Sequence, residues 1–429
     1  MEKVGVVICN YNKAKDVIVC IRSVLESKNQ DFHIYVVDNA SSDDSVQRIR
    51  KEYGDNRKVT LICNNENLGG SGGFNTGLRI AEEQGYPYLM CIDNDAFLDE
   101  NCLGELISFM EKTPEAGIAA AKIYHAENQG YIQQYGSYID WNDYCVNSPY
   151  YNYPEDNTLP EVIYSDAVPA CAMMIRRSVI KEIGFMPEEN FLYWDDTEWC
   201  YRCHLAGYKV ASVGSALACH AMGAKKEDVT TFPTYYAWRN RIYFFMKFLP
   251  ENKIGDMADS FLNGIFEIQY EGLYRDEPER ARTVMAALDD VIHGKMGKAD
   301  EECIFPVVQR DHRLEQILAG KQRLCIIDAG YKEEAECLRM RIMSEQSGKQ
   351  IAVVNDIADC DVSITLCKSI FQINDFSMMT YYMDIDDNIL ASEEDSLMII
   401  NYNYSKRLFL YAEKPLFLRL INKGIGGTV

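Results

Sequence analysis

The first 125 residues alternate between two hydrophobic patterns. Continuous apolar runs of a few residues are typical of buried strands, and apolar residues repeated every three or four positions are typical of helices packed on one face. This alternation predicts strands at Val4–Cys9, Phe32–Val37, Val59–Cys63 and Tyr88–Ile92, and helices at Ala14–Ser27, Asp43–Tyr53 and Phe74–Gln84. Strands separated by single helices indicate βαβ units, so we expect a mostly parallel α/β sheet with flanking helices.

Beyond residue 125 the pattern changes three times. Residues 126–165 are rich in Tyr, Asn, Asp and Pro and are predicted to be irregular. Strand or helix patterns return at Ser165–Arg176, Asp196–Leu205 and Tyr235–Phe248, and helical periodicity continues to about residue 320. Short strands are predicted at Arg323–Asp328, Gln350–Asn355 and Asp361–Leu366, with a helix at Lys332–Gln346. We therefore expect a domain over residues 1–250, a helical segment over 251–320, and a smaller C-terminal α/β domain over 321–429.

Charge and cysteine usage narrow the class of protein. The chain has 43 Lys and Arg against 65 Asp and Glu, a net charge of −22. Nucleic acid is disfavoured as a partner, because non-specific binding to it depends on basic side chains that neutralise phosphates. The fifteen cysteines are scattered along the chain, which is typical of reduced thiols in a cytoplasmic protein. Neither a signal peptide nor an apolar run long enough to span a membrane is predicted.

A short acidic motif follows the predicted strand Tyr88–Ile92. Asp93 and Asp95 flank the single residue Asn94. Mg²⁺ and Mn²⁺ prefer oxygen ligands and often share one or two carboxylates with the phosphates of a substrate. Aspartates are also common in turns and at helix caps. The motif alone therefore leaves both a metal site and an ordinary turn open.

Polar residues also follow the other predicted strands. Asn10 and Asn12 follow the first strand and Asp38 the second, where they can hold a nucleoside or serve as turn and cap residues. The third strand leads into the glycine-rich segment 67–77, which lets a ligand approach the backbone and places a helix N-terminus near an anion. In that segment Asn75 stands at the last glycine position of G-x-G-x-x-G and the lysine of a P-loop is missing, so dinucleotide and kinase-type sites are disfavoured.

A second acidic cluster combines carboxylates with tryptophans: Trp194, Asp195, Asp196, Glu198 and Trp199. A carboxylate beside an apolar wall can have its pKa raised toward the range of a general base, and an indole can stack on a sugar. A capped helix start explains the same residues. His220 ends a later strand-like run, where it is either a metal ligand or a structural residue.

Taken in order, these motifs resemble glycosyltransferase family 2, whose members have the GT-A fold, over about residues 1–250. The segments 67–77 and 196–199 resemble the rhamnosyltransferase branch, and Trp194 to Asp196 with a downstream histidine resembles bacterial galactofuranosyltransferases. The resemblance implies an inverting, metal-dependent hexosyltransferase of cell-surface polysaccharide synthesis. It would move a sugar from a nucleotide diphosphate donor, dTDP-rhamnose or UDP-galactofuranose, to a saccharide or lipid-linked saccharide acceptor.

The resemblance also implies a role for each motif. Asp93, Asp95 and His220 would hold Mn²⁺ or Mg²⁺, and Asp196 would be the catalytic base. The donor would contact residues from five segments: Asn10, Asn12, Asp38, Asn67, Gly73, Asn75, Asp93 and Arg239. The acceptor would contact Trp194, Asp195 and Trp199, with residues 126–165 on its side.

Several alternatives stay open. A catalytically inactive GT-A scaffold or binding subunit would share the fold, although the intact acids and histidine argue against it. A nucleotidyltransferase would also use paired aspartates, but the basic phosphate loop expected after its first strand is missing. The C-terminal domain could serve self-association into a homo-oligomer. The aromatic helix Tyr235–Phe248 could lie peripherally on the inner membrane face, but packing on the first domain is the favoured interpretation.

Overall fold

The computed structural model describes residues 3–29, 31–156, 158–221, 230–274, 278–308, 313–345, 348–355, 359–373, 379–385, 387–390 and 393–424. Contacts divide the chain into two units. The first unit comprises Met1–Lys253 and Ala287–Ile304, and the second comprises Ile254–Ala286 and Phe305–Val429. Each unit has its own sheet and its own buried core.

The first unit is built around an eleven-stranded sheet, with a separate two-stranded sheet formed by β8 and β9. Its strands are β1 (Val4–Asn10), β2 (Phe32–Asp38), β3 (Val59–Cys63), β4 (Tyr88–Asp93), β5 (Ala96–Leu98), β6 (Ala116–His125), β7 (Asn128–Gln134), β8 (Tyr138–Asp140), β9 (Cys145–Asn147), β10 (Tyr153–Pro154), β11 (Val162–Ser165), β12 (Ala172–Arg176) and β13 (Lys209–His220). Its helices are α1 (Asp16–Leu25), α2 (Ser45–Tyr53), α3 (Gly69–Gln84), α4 (Cys102–Lys112), α5 (Arg177–Ile183), α6 (Asp195–Leu205) and α7 (Phe232–Phe248).

The order of strands in the large sheet explains where a site can form. Along its main path the order is β10-β7-β6-β12-β4-β1-β2-β3. The neighbours β3, β2, β1 and β4 are parallel, and β12 runs antiparallel between β4 and β6. The predicted fold class, an α/β sheet with a parallel centre and flanking helices, is confirmed. In such sheets ligands bind beyond the carboxyl ends of the parallel strands.

Side-chain alternation along the strands builds a core on each face of this sheet. Val6 and Ile8 of β1 belong to the core that includes α1 and α4, whereas Val7 belongs to the core that includes α3 and α6. The parallel strands are therefore buried on both faces, as their continuous apolar runs require.

Two parts of the first unit differ from the sequence prediction. Residues 126–165, predicted to be irregular, contain the short strands β7 to β11. Helix α3 was predicted to begin at Phe74 but begins at Gly69. Glycine is a poor helix former in isolation, but here close packing holds the first turn in place: a Cβ on Gly73 would overlap the Cys9 sulfur.

The second unit contains a five-stranded sheet in the order β15-β14-β16-β17-β18. Its strands are β14 (Arg323–Ile327), β15 (Gln350–Val354), β16 (Val362–Cys367), β17 (Tyr381–Asp384) and β18 (Ile389–Leu390), and its helices are α8 (Ile254–Tyr274), most of α9 (Pro278–Ile292), α10 (Arg313–Leu318), α11 (Lys332–Glu345) and α12 (Glu393–Gly424). Strands β15, β14, β16 and β17 are parallel, so the smaller C-terminal α/β domain is present as predicted. The residue Gln346, predicted to end its helix, lies outside the described residues.

The long helix α12 was not predicted from the sequence. Its buried side chains, including Tyr402 and Phe417, are spaced along one side and pack in the second unit. Within the described part of the chain, no helix combines the length and the apolar composition that a membrane span requires.

Candidate active site

Three neighbouring strands of the large sheet end in polar residues at the same edge. In the parallel register Asn10 of β1 pairs with Asp38 of β2, and Cys9 pairs with Asp93 of β4. The Asn10 side chain donates to Asp38 Oδ1 over 2.9 Å and accepts from the Asn94 amide over 3.0 Å. A continuous polar network therefore joins the predicted nucleoside side to the acidic motif after β4.

The acidic motif meets His220 because of the way β13 crosses the sheet edge. Strand β13 runs antiparallel to β5, and His220 pairs with Ala96, one residue after Asp95. The His220 Nε2 lies 3.2 Å from Asp95 Oδ1 and 3.7 Å from Asp93 Oδ2. One ligand atom from each of the three residues lies within 4.8 Å of the others. The structure thus brings the three predicted metal ligands together.

Gln133 of β7 fixes the orientation of the imidazole. Its Oε1 lies 2.7 Å from His220 Nδ1, and its Nε2 donates to the His220 carbonyl over 3.1 Å. Since an amide oxygen can only accept, Nδ1 must carry a proton. In the neutral tautomer Nε2 then presents a lone pair toward Asp93 and Asp95, which suits a shared metal ion, whereas in the imidazolium form its N–H donates to Asp95.

Ion pairs and hydrogen bonds within this cluster shift the pKa values of Asp95 and His220. Lys13, in the turn after β1, forms an ion pair with Asp95. Burial alone would raise the pKa of Asp95, but the hydrogen bond and charge of His220 and of Lys13 outweigh it and lower that pKa. Burial would lower the pKa of His220, yet its contacts with Asp95 and Asp93 raise it.

The pKa of Asp93 is raised, whereas that of Asp95 is lowered. Burial raises its pKa to about 6, with further raising by Asp95 and Asp196 and an opposing effect of His220. Its carboxylate has no backbone donor within the described residues. Two carboxylates and an imidazole with a fixed tautomer form a donor set that suits Mn²⁺ or Mg²⁺, so the residues present fit the implied metal.

The second acidic cluster is presented by a strained turn before α6. Phe191, Tyr193 and Trp194 all have positive φ, between 61° and 65°, which costs non-glycine residues on the order of 1–3 kcal/mol each. The first turn of α3 packs against this turn: Gly70 N donates to Phe191 O over 2.7 Å. Gly69 has a φ of +78°, and a Cβ there would overlap the Phe191 carbonyl.

Helix α7 holds the same turn from the other side. Asn240 Nδ2 donates to the carbonyls of Asn190, Leu192 and Tyr193 over 2.7–3.1 Å. Arg239 is buried and donates to Asn190 O over 3.1 Å and to Gly297 O over 2.8 Å. The prediction that Arg239 contacts the donor is wrong, because its guanidinium is buried and satisfied by backbone carbonyls. It is a positioning residue for the turn.

The turn places Asp195 and Asp196 at the start of α6, beside the acidic motif. Burial and the neighbouring charges of Asp196 and Asp93 raise the pKa of Asp195 to about 7. Burial also raises the pKa of Asp196, against hydrogen bonds from Thr197 and from the Ala170 amide at 3.3 Å. A carboxylate with a raised pKa in a polar cleft is suited to accept a proton near neutral pH.

Two predicted donor contacts in α3 have structural roles. Asn75 is fully buried, where its amide donates to Met186 O and Glu188 and its oxygen accepts from Met186 N. Gly73 lies against Cys9 and Asn39, where a side chain would not fit. The prediction for Asn75 is wrong, because its side chain is buried and fastens α3 to the rest of the unit. A backbone contact between Gly73 and the donor stays a prediction.

Asn12 and Asn67 remain candidates for the donor side. Asn12 is exposed, and its oxygen accepts from the amide of Ser42 over 2.7 Å, which ties the turns after β1 and β2 together. The half-exposed Asn67 accepts from Asn39 over 3.0 Å and from Gly69 N over 2.9 Å. Both side chains shape the loops around the Asn10–Asp38 pair.

The two predicted acceptor tryptophans have different environments. Trp199 is fully buried, and its indole donates to Gly184 O over 2.9 Å. The prediction that it contacts the acceptor is therefore wrong. Trp194 is partly exposed and lies 5.3 Å and 5.7 Å, centroid to centroid, from Phe244 and Phe245. With Trp141, 5.5 Å from Phe245, it forms an aromatic wall next to the second acidic cluster.

Sequence reasoning missed the residues that support the site. Lys13 carried only a weak signal, as a cation soon after the first strand. Gln133 and Asn240 gave none, because a lone amide in a polar segment or in an aromatic helix has no pattern that marks a role. Their roles depend on tertiary contacts between segments far apart in the chain.

Part of this site lies in a region that is similar to a known protein family. Residues 5–184 match the family described as Glycosyl transferase family 2. Over 215 residues the chain is 26% identical to the dTDP-rhamnosyl transferase RfbF of Shigella flexneri, a match that covers 48% of this chain and 65% of that protein. The chain thus spans slightly less than two thirds of the length of RfbF.

One further relative and one solved structure are similar to the chain. The low-salt glycan biosynthesis hexosyltransferase Agl10 of Haloferax volcanii is 24% identical over 289 residues, which are 64% of this chain and 81% of that protein. The crystal structure of TarS from Staphylococcus aureus aligns with a TM-score of 0.46 at 17% identity, over 70% of this chain and 50% of that one. Residues 5–184, which include Asp38 and the motif from Asp93 to Asp95 but end before Asp195 and His220, are therefore similar to glycosyltransferase family 2.

Proposed function

We propose that this chain is an inverting, metal-dependent hexosyltransferase that moves a sugar from a nucleotide diphosphate donor to a saccharide or lipid-linked saccharide acceptor in cell-surface polysaccharide synthesis. The observation that carries the proposal is the convergence of Asp93, Asp95 and His220 at one sheet edge, with Asp196 close enough to raise the pKa of Asp93. The family match over residues 5–184 supports the same activity.

The donor would bind along the edge formed by β2, β1 and β4. The buried pair Asn10 and Asp38 offers acceptors and donors for the nucleoside. Asp93, Asp95 and His220 Nε2 would hold Mn²⁺ or Mg²⁺, and a divalent cation bound there stabilises the negative charge of a departing nucleotide diphosphate. Lys13 lies beside Asp95 and adds a cation that can reach a phosphate.

Asp196 would accept the proton of an acceptor hydroxyl. As that oxygen forms its bond to the anomeric carbon, the bond from this carbon to the diphosphate oxygen breaks on the opposite face. Attack opposite the leaving group inverts the anomeric configuration. The strained turn held by Arg239 and Asn240 would keep Asp196 oriented for this step, and Asp195 and Trp194 would contact the acceptor sugar.

The proposed donor is dTDP-rhamnose, because RfbF, a relative over 48% of the chain, is named as a dTDP-rhamnosyl transferase. UDP-galactofuranose is the second candidate, supported by the Trp194-Asp195-Asp196 motif with the downstream His220. The enzyme would act in the cytoplasm, and a lipid-linked acceptor would bring it to the inner membrane face. Free thiols at all fifteen cysteines fit a reducing compartment.

A donor panel tests the proposal. The chain is incubated with Mn²⁺ and each of several nucleotide sugars, and release of the nucleotide diphosphate is measured with and without a metal chelator. We expect Mn²⁺-dependent turnover of one donor, with dTDP-rhamnose first, and its loss in Asp95→Asn. The exposed Asp55→Asn serves as the matched control and should keep full activity. Failure of the wild type to bind or turn over any nucleotide sugar would favour the inactive scaffold.

A further inference from the structure

Helix α12 carries an exposed apolar stripe that has no partner in the described part of the chain. Its members recur every three or four residues: Leu397, Ile400, Tyr404, Leu408, Tyr411 and Pro415. At 100° per residue they fall within about 80° of the helix circumference and extend over about 27 Å. Tyr411 is 84% exposed and Ile400 66%. We call this surface the α12 stripe.

The opposite side of α12 is firmly packed, so the stripe is not a frayed helix. Tyr402 lies 5.1 Å from Tyr270 and 5.4 Å from Phe266 of α8, measured between ring centroids. Two ion pairs along the helix, Lys406 with Glu267 at 3.0 Å and Lys414 with Asp259 at 2.6 Å, fix the same packing. These contacts fix which face of α12 points outward.

The charges around the stripe are unlike those of the rest of the chain. The exposed residues from Leu397 to Arg419 include Arg407 and Arg419 but no acid. The acid Glu413 is half-buried and lies at the side of the helix away from the stripe. In a chain of net charge −22, this is a basic and apolar face with two tyrosines.

We propose that the α12 stripe is a membrane-interface surface that docks on a bilayer containing anionic lipids. Amphipathic helices with apolar residues on one face, flanking arginines and aromatic side chains lie in the plane of such an interface. Tyrosine suits the boundary because its ring is apolar and its hydroxyl remains hydrated. The arginines on this face complement lipid phosphates.

The net negative charge does not prevent this docking. At physiological ionic strength the Debye length is about 8 Å, so an anionic surface in contact with α12 senses mainly the charges of that face. The acidic remainder of the chain would be repelled and would favour the orientation in which α12 faces the lipid.

Pairing of the stripe with a second copy of the chain is less consistent with these charges. In an antiparallel pair centred on Leu408, Arg407 of one copy would lie near Arg407 of the other, and the exposed residues described between Leu397 and Arg419 include no acid to neutralise them. Burying unpaired charges is unfavourable, whereas at a lipid surface both guanidinium groups meet phosphates.

Flotation of the full-length chain with lipid vesicles tests the proposal. One set of vesicles contains phosphatidylcholine alone, and the other an equal mixture of phosphatidylcholine and phosphatidylglycerol. We expect binding to the mixed vesicles, weakened by salt. The pair Arg407→Gln and Arg419→Gln should lower the partition coefficient about fivefold for each arginine, and the pair Leu408→Gln and Tyr411→Gln should lower it at least about tenfold.

Two controls test whether vesicle binding depends on the α12 stripe itself. Met340→Gln with Met343→Gln removes exposed apolar side chains from α11, where both methionines are about half-exposed, and should leave binding unchanged. The unfolding temperature of each variant is also measured. A value equal to that of wild type would show that α12 is still packed. No donor or acceptor is needed, so the outcome is separate from that of the transferase assay.

Three results would overturn the proposal. The first is wild-type chain that stays unbound to both kinds of vesicle. The second is binding that the stripe and arginine variants leave unchanged. The third is a concentration-dependent dimer that Leu408→Gln with Tyr411→Gln abolishes, without vesicle binding, which would assign the stripe to self-association.

Discussion

Both units of the chain end a parallel strand in an aspartate, but the two carboxylates have opposite surroundings. In the second unit, Asp384 ends β17 and accepts from the backbone amides of Ile370 and Asn388 over 3.1 Å and 2.9 Å and from the Asn388 side chain over 3.1 Å. In the first unit, Asp93 ends β4 and faces His220 and other acids instead of backbone donors.

The difference shows what makes a strand-end aspartate available for a ligand. Backbone amides from its own turn and from Ile370 satisfy the lone pairs of Asp384, so folding alone accounts for that residue. At β4 the carboxylates of Asp93 and Asp95 converge with a third acceptor, His220 Nε2. Their negative charge is concentrated at one point and is partly offset by Lys13 and His220, so the cluster suits a bound cation.

The largest effect is expected when the proposed base is removed. Asp196→Asn keeps the size of the side chain and its hydrogen bond to Thr197 or Ala170, but it cannot take a proton. We expect kcat to fall by about 10²–10⁴-fold, the usual contribution of a general base, with Mn²⁺-dependent donor binding retained. Steady-state kinetics with the donor found in the panel, together with donor titration, provide the measurement.

The neighbouring Asp195→Asn is the matched control for that substitution. It removes an equally buried carboxylate from the same helix start, and its main effect should fall on the KM for the acceptor. A larger loss of kcat in Asp195→Asn than in Asp196→Asn would assign the base to Asp195 instead.

A smaller effect is expected from the residue that orients His220. Gln133→Leu preserves volume but leaves Nδ1 without its acceptor at 2.7 Å, so the tautomer with Nε2 toward the acids is no longer enforced. We expect the affinity for Mn²⁺ to fall about 10–100-fold, as for other residues that hold a ligand histidine. At saturating Mn²⁺, kcat should recover, which distinguishes loss of orientation from loss of chemistry. An unchanged metal affinity would contradict this role.

The smallest effect is a change in how stability depends on pH. The pKa of Asp195 is raised from 3.8 to about 7, so the folded chain holds this proton more tightly than the unfolded chain. Its contribution to stability is therefore full below about pH 4, falls as the pH rises, and is lost above about pH 7. We expect metal-free Asp195→Asn to unfold at a higher temperature than wild type at pH 8 and at the same temperature near pH 4. Parallel curves for the two proteins would contradict the raised pKa.

The fold could be predicted from the sequence where local pattern and tertiary context agree. The buried strands β1, β2 and β4 are long apolar runs, and each was placed to within about a residue. The start of α3 could not be predicted, because its glycines are stabilised in the helix by contacts with Cys9 and with the turn at Phe191. Strand β7 is mostly polar and β8 to β10 have only two or three residues, so their pairing leaves no hydrophobic periodicity to detect.

In the candidate site, too, local sequence pattern could be read, whereas tertiary contacts could not. Asp93 and Asp95 could be selected because they follow a strand-like run, and ligands bind beyond the carboxyl ends of parallel strands. The sequence pattern alone left His220 open, and its role as a metal ligand was implied by the family resemblance. Arg239 was assigned to the donor through the family resemblance, and Trp199 to the acceptor because an indole can stack on a sugar. Both are buried, and burial depends on packing partners that the local sequence does not reveal.

The central claim is that Asp93, Asp95 and His220 form a metal-dependent donor site, and calorimetric titration with dTDP and UDP, with and without Mn²⁺, tests it most directly. The proteins compared are wild type, Asp95→Asn and Asp384→Asn, which removes a strand-end aspartate of the second unit. The account predicts Mn²⁺-dependent binding of one nucleotide by wild type and Asp384→Asn, and its loss in Asp95→Asn. Binding that is independent of Mn²⁺, or that survives in Asp95→Asn, would contradict it.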